Sequence, residues 1–273
     1  MAPSSDSASV AVAVAQFAPG DDTAQNLTVI RQLATRAVRR GAGLVVFPEY
    51  SSFFTAALGQ HSVDAAERLD GTFASALGAL AIELQVHLVA GMIEQTTDPG
   101  RVSNTLIAVD PTGQLVAKYR KVHLYDAFGQ SESEWIVPGE VEAPETFVVG
   151  GMNVGMQTCY DIRFPEVTRR IVDAGVDLVL VPSEWVRGPL KEQHWRTLVT
   201  ARAIENTIYI AAADQAPPIG VGNSMIVDPM GVELSTLGEQ TDVALAWVSS
   251  DRVSEVRAVN PALALRRFGV VPL

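Results

Sequence analysis

Strands and helices that alternate along most of the chain predict an α/β fold, in which a mixed sheet or two sheets are covered by helices. Three observations carry that reading. A β-α-β unit opens the chain. Strand pairs around the turns Asp110-Pro111-Thr112-Gly113 and Asp228-Pro229-Met230-Gly231 add antiparallel neighbours. Of 273 residues, 48% are hydrophobic and 19% charged, enough for one large domain with a deep core.

The elements follow in order. After a Ser-rich lead, Val10 to Phe17 alternates small and β-branched residues and is stopped by Pro19 and Gly20, a strand. Asn26 to Arg40 has apolar residues at helical spacing, with Gly41 to end it. Leu44 to Phe47 is a short apolar run, the mark of a strand buried on both faces. The same signals predict a helix over 64–84 and strands over 86–93, 103–109, 114–120, 145–149 and 152–158. Helices over 165–174 and 191–205 alternate with strands over 177–182 and 207–213, and strands over 223–227, 233–235 and 242–248 follow. A short polar helix signal then leads into the apolar tail of about 250–273.

One internal echo stands out. Gly41-Ala-Gly-Leu-Val-Val-Phe-Pro-Glu49 is matched by Gly175-Val-Asp-Leu-Val-Leu-Val-Pro182, and a carboxylate, Glu49 or Glu184, stands just past the end of each strand. Ligand sites of open α/β sheets gather at the carboxyl ends of strands, so the chemistry is expected there.

The charge balance narrows the partners. Twenty basic against 31 acidic residues leave a net charge of −11, which argues against a nucleic-acid or anionic-membrane partner and for a small substrate. No Lys or Arg precedes Arg31, no apolar run approaches a membrane span, and there is one Cys. The chain therefore reads as cytoplasmic, without export signal or disulfide. Neither His-Glu-x-x-His nor paired Cys spacing calls for a metal, and no glycine-rich loop follows a strand to call for a dinucleotide, so no cofactor is expected.

Cys159 is the centre of the candidate chemistry. It lies between the strand ending at Thr158 and the helix start Phe164-Pro165-Glu166, where backbone N–H groups and a helix end would lower its pKa. A lone cysteine can equally be a small buried hydrophobe. Glu49, directly after a fully apolar strand, is costly unless paired or used, and Lys121 belongs to the basic cluster Lys118-Tyr-Arg-Lys-Val-His123.

Taken together, Val46-Phe-Pro-Glu49-Tyr50, Tyr119-Arg-Lys121-Val-His-Leu-Tyr-Asp126 and Thr158-Cys159-Tyr-Asp-Ile-Arg163-Phe-Pro-Glu166 resemble the catalytic motifs of the nitrilase superfamily of carbon–nitrogen hydrolases. Further likeness at Pro138-Gly139, His194-Trp195, Ala201 to Asn206 and Gly222 to Pro229 extends the resemblance over nearly the whole chain. It implies a four-layer αββα sandwich with two mixed β-sheets, formed by residues 1–273 as a single carbon–nitrogen hydrolase domain, usually homodimeric, with the tail at the dimer interface or folded back. It also implies Cys159 as nucleophile, Glu49 as general base, Lys121 at the oxyanion and a second glutamate, for which Glu132 fits and Glu134 competes. Cys159-Tyr160-Asp161-Ile162-Arg163 is similar to the ω-amidase and deaminated-glutathione amidase branch.

The activity implied is hydrolysis of the terminal carboxamide of a small carboxylate-bearing substrate, such as a 2-oxo-dicarboxylic acid ω-monoamide, through a thioester. Tyr160, Arg163 and Trp185 are the substrate-contacting candidates. Arg163 either forks onto the substrate carboxylate or bridges Asp161 or Glu166. Deaminated glutathione and N-carbamoyl amino acids are alternative substrates. A papain-like pairing of Cys159 with His61, His87, His123 or His194 and a non-catalytic binding protein of the same fold are the competing readings.

Overall fold

The computed structural model describes residues 9–272; the Ser-rich lead through Ala8, and Leu273, lie outside the described residues. In chain order the elements are β1 (Ser9–Gln16), α1 (Thr23–Arg39), β2 (Leu44–Val46), α2 (Gln60–Asp64), α3 (Thr72–Leu84), β3 (His87–Gln95), β4 (Val102–Val109) and β5 (Leu115–Arg120). The second half contributes β6 (Phe147–Val149), β7 (Met152–Met156), α4 (Pro165–Asp173), β8 (Leu178–Ser183), α5 (Lys191–Asn206), β9 (Tyr209–Asp214), β10 (Met225–Val227), β11 (Glu233–Thr236), β12 (Asp242–Ser249) and α6 (Ser250–Val259).

The strands form two mixed six-stranded sheets, ordered β12-β1-β2-β3-β4-β5 and β6-β7-β8-β9-β10-β11. Within them β1, β2 and β3 run parallel, as do β7, β8 and β9, and the remaining pairs are antiparallel. The two strands of the internal echo, β2 and β8, hold the same place, third in each sheet between two parallel neighbours. Gly41 and Gly175 before them adopt φ of +97° and +89°, which glycine alone adopts freely.

Alternation along the strands builds the layers. Leu178 and Leu180 pack with Val12, Val14, Leu44 and Val46 in a buried cluster between the sheets. Val179 and Val181 point the other way, to Ile171, Trp195 and Val199 of α4 and α5. On the opposite outer face, Ile30 and Leu33 of α1 and Leu77 of α3 cover Val45, Phe47 and Leu88. The order is helices, sheet, sheet, helices. Strands buried on both faces read as unbroken apolar runs for this reason.

Two boundaries differ from expectation by three residues or more. The helix expected over 64–84 starts only at Thr72, after the separate short α2 has ended at Asp64, because Glu67 is diverted into a bridge with β3: its N–H donates to the Ile93 carbonyl and its own carbonyl accepts from Gln95 N–H. Its carboxylate then caps α3 at Phe73 N–H, 2.8 Å away. The first helix begins at Thr23, not Asn26, because Asp22 caps it by accepting from Ala24 and Gln25 N–H at 2.9 and 3.1 Å.

Candidate active site

Glu49 stands where β2 ends. Pro48 has no N–H to continue the ladder, and the following turn, with Tyr50 at φ +57°, packs onto Gly91 of β3. A Cβ on Gly91 would lie 2.6 Å from Tyr50 N and 2.7 Å from Glu49 Cα, so only glycine admits this approach. Lys121 follows β5, its backbone N–H held by the Asn104 carbonyl at 2.9 Å. Its Nζ lies 2.9 Å from Glu49 Oε1 and 2.9 Å from Glu132 Oε2, and all three side chains are buried. Glu132 opens a short 3-10 turn, accepting from Tyr50 OH at 2.7 Å and Tyr125 N–H at 2.6 Å, whereas Glu134 is exposed. Asn104 Nδ2 donates to Glu49 Oε1 at 2.6 Å.

Cys159 comes from the other sheet, three residues past Met156 at the end of β7, at φ +45°. Its thiol donates to the Glu184 carbonyl at 3.3 Å, and the N–H of the same Glu184 donates to Glu49 Oε2 at 2.6 Å. One residue past β8 thus touches both thiol and carboxylate. Buried Asp161, in the 3-10 turn that Cys159 starts, accepts from Tyr119 OH at 2.7 Å and from His123 N–H at 2.9 Å, fastening the Lys121 segment to the nucleophile turn.

The electrostatics depart from expectation at the thiol. Helix α4 starts only at Pro165, beyond the 3-10 turn, so its dipole does not end on Cys159. Burial, then the Glu49 carboxylate, push the thiol well above its ordinary range, against Lys121, and the resting form is the thiol. Burial also raises Glu49, with Lys121 opposing. Glu132 is lowered, because Lys121 and the bonds from Tyr125 N–H and Tyr50 OH outweigh its burial. Lys121 stays cationic, its burial outweighed by Glu132 and Glu49. Burial and the Glu49 charge raise Glu184 well above the carboxylate range.

A cavity of ≈ 340 Å³ is lined by Cys159, Lys121, Glu132, Glu184, Tyr50 and Tyr125 among others. Tyr160, Arg163 and Trp185 do not line this cavity, although Cys159 and Glu184, their neighbours in sequence, do, and Arg163 bridges neither Asp161 nor Glu166. Its guanidinium carbon lies 4.8 Å from the Trp185 ring centre and 5.9 Å from that of Tyr160, with an Nη 3.4 Å from His194 Nδ1. The histidines do not serve the thiol: His123 turns Nδ1 to Asp161, His194 meets Arg163, and His61 bonds to Thr55 and the Ala57 carbonyl.

Sequence reasoning missed Asn104, Tyr50, Tyr125 and Lys191. The first two carried a signal in being polar groups on or beside apolar strands. Lys191, read only as a helix start, is buried and donates to Tyr125 OH at 2.6 Å.

Residues 11–258 match the carbon-nitrogen hydrolase family. A deaminated glutathione amidase of Escherichia coli O157:H7 is 38% identical over 259 residues, covering 94% of this chain and 97% of that one. An omega-amidase of Mus musculus is 30% identical over 269 residues, 94% of each chain. The solved structure of a mutant amidase from Nesterenkonia sp. AN1, with the acetamide moiety of fluoroacetamide added covalently to its active-site cysteine, is 28% identical with a TM-score of 0.77, over 94% of this chain and 97% of that one.

Proposed function

Because the chain belongs to the carbon–nitrogen hydrolase family, a hydrolase of non-peptide C–N bonds, we propose that Cys159, Glu49, Lys121 and Glu132 are its catalytic residues and that it cleaves the ω-amide of a small 2-oxo dicarboxylic acid. The observation that carries the catalytic assignment is the Lys121 ammonium bonded at 2.9 Å to both Glu49 and Glu132, with Glu49 and Cys159 held on the backbone of one residue.

The division of roles follows from the charges. Cys159 rests as a thiol, so its proton must leave as the C–S bond forms, and Glu49, whose raised pKa gives it affinity for that proton, accepts it. The amide oxygen gains negative charge, which Lys121 and the Tyr160 N–H stabilise. Glu132 keeps its charge and positions Lys121. Collapse breaks the C–N bond as Glu49 returns the proton to nitrogen, releasing ammonia and leaving a thioester. Water then attacks the acyl carbon, Glu49 takes its proton and passes it to sulfur, and the acid departs with the enzyme restored.

Arg163 supports a carboxylate-bearing substrate, with Trp185 and Tyr160 as the walls around it. A substituted ω-amide such as deaminated glutathione is a second reading, favoured by the 38% identical relative. Release of ammonia from 2-oxoglutaramate, N-carbamoyl amino acids and uncharged aliphatic amides, and of the dipeptide amine from deaminated glutathione, tests the assignment; equal rates on charged and uncharged amides would refute it.

The protein is further proposed to be a cytoplasmic homodimer. Support comes from a tail that leaves Val259, Leu265, Phe268 and Val271 exposed, and among the described residues no helix is long and apolar enough to cross a membrane. Sedimentation as a monomer would remove the dimer.

A further inference from the structure

Beside the cavity two cations stand without an anion. Lys191, only 7% exposed, has its Nζ 4.1 Å from the ring centre of Phe128 and 5.6 Å from that of Trp185. Arg163 lies over the same two rings, at 5.7 and 4.8 Å. Among the described residues neither has a carboxylate oxygen within 4.0 Å, although most other arginines of the chain are paired. Arg163 Nε is buried with no acceptor at all.

Such a pair is costly as it stands. Lys191 has given up most of its water and Arg163 part of it, the two repel across shared rings, and cation–π contact with Phe128 and Trp185 offsets only part of this. Lys191 spends one of its three donors on Tyr125 OH, and that tyrosine lines the cavity with Cys159. Glu184, a carboxyl on the cavity wall, is pushed well above the carboxylate range by burial and by Glu49, and it forms no ion pair within 4.0 Å with either cation. The missing partner is an anion with two acceptor oxygens.

We propose that Lys191 and Arg163 form a two-cation clamp for the substrate carboxylate, and that the clamp rejects an ammonium group next to that carboxylate. This deepens the ω-amidase reading and rests on it for the identity of the anion. An α-ammonium would face two like charges, and the aromatic faces that could have held it are already occupied by Lys191 and Arg163. A 2-oxo group carries no charge to oppose them. The clamp therefore sorts 2-oxo acid amides from the corresponding amino acid amides.

The test compares kcat/KM for 2-oxoglutaramate, glutamine and pentanamide in wild type, Lys191→Met, Lys191→Gln and Lys191→Arg, with thermal melts to verify folding. Lys191→Gln can keep the bond to Tyr125 OH and stands in should the methionine variant not fold. The expected result is a fall of about 10- to 100-fold in the ratio of 2-oxoglutaramate to pentanamide in both neutral variants, carried mainly by KM, with partial recovery in Lys191→Arg. The ratio of 2-oxoglutaramate to glutamine should narrow in the same variants.

Unchanged ratios would overturn the clamp while leaving the amidase reading intact. A wild type that treats 2-oxoglutaramate and pentanamide alike, or cleaves neither, would instead refute the substrate reading. The clamp is then decided by protection of Cys159 from iodoacetamide by 2-oxoglutarate: protection lost in Lys191→Met upholds it, and equal or absent protection in wild type and variant overturns it.

Discussion

Replacing Lys121 by Met removes the one cation that two buried carboxylates share, at 2.9 Å from each. Truncating one partner of a buried ion pair costs about 3–5 kcal/mol, because the remaining charge is left uncompensated. Here the remaining charges can escape by binding protons. In the wild type the folded-state pKa of Glu132 is lowered, so its contribution to stability is present above the unfolded value of about 4.3 and is lost as pH falls through the folded one. Without Lys121 the sign reverses. Burial and mutual repulsion raise both carboxyls, the folded state then holds more protons than the unfolded state, and stability falls as pH rises. The deficit of the variant against wild type, read by urea denaturation, should be larger at pH 8 than at pH 5. Turnover should drop at both pH values by about 10²–10³ or more, the effect of losing one oxyanion donor. Normal turnover in a folded Lys121→Met protein, or a deficit that shrinks toward pH 8, would refute the shared-cation account.

Other expectations are narrower. Cys159→Ala should abolish ammonia release, whereas chelators should leave the wild type active; residual turnover near wild type in the variant would remove the nucleophile. The alkylation rate of Cys159 by iodoacetamide should rise with pH along a curve displaced above that of free cysteine, because burial and the Glu49 charge oppose the thiolate, and a curve displaced below it would contradict that. Arg163→Gln should cost roughly 2–4 kcal/mol in kcat/KM on a carboxylate-bearing amide and far less on an uncharged one, with Arg163→Lys a poor rescue; equal losses on both would make the arginine structural. Gly91→Ala forces a Cβ against Tyr50 N and Glu49 Cα and should lower both Tm and kcat, a prediction that an unaltered kcat would sink.

What the sequence made legible was whatever its local pattern encodes. The buried strands β2 and β8 are readable because helices cover one face and the other sheet covers the second, leaving no polar alternation. Glu49 was readable as a charge at the end of such a strand. The split before α3 was not, since Glu67 leaves the helix for a bridge to β3 that only the assembled sheet provides. The thiol's environment was misjudged for a similar reason: Pro165 marks the helix start correctly, yet the 3-10 turn of Cys159–Arg163 stands between the dipole and the sulfur. Lys191 and Arg163 are 28 positions apart, and nothing in either neighbourhood says that Phe128 and Trp185 bring them together.

The site draws its groups from both sheets. Glu49 and Lys121 follow strands of one, Cys159 and Glu184 follow strands of the other, and the apolar layer of Val12, Val46, Met156 and Leu180 lies between them. That layer therefore acts as a gauge block, whose thickness and register set the distance between base and nucleophile. Misplacement of reacting groups by about 1 Å can cost 10²-fold in rate. Volume-changing substitutions in this seam should accordingly damage turnover out of proportion to the stability they remove, while equal changes under α1 should spare it.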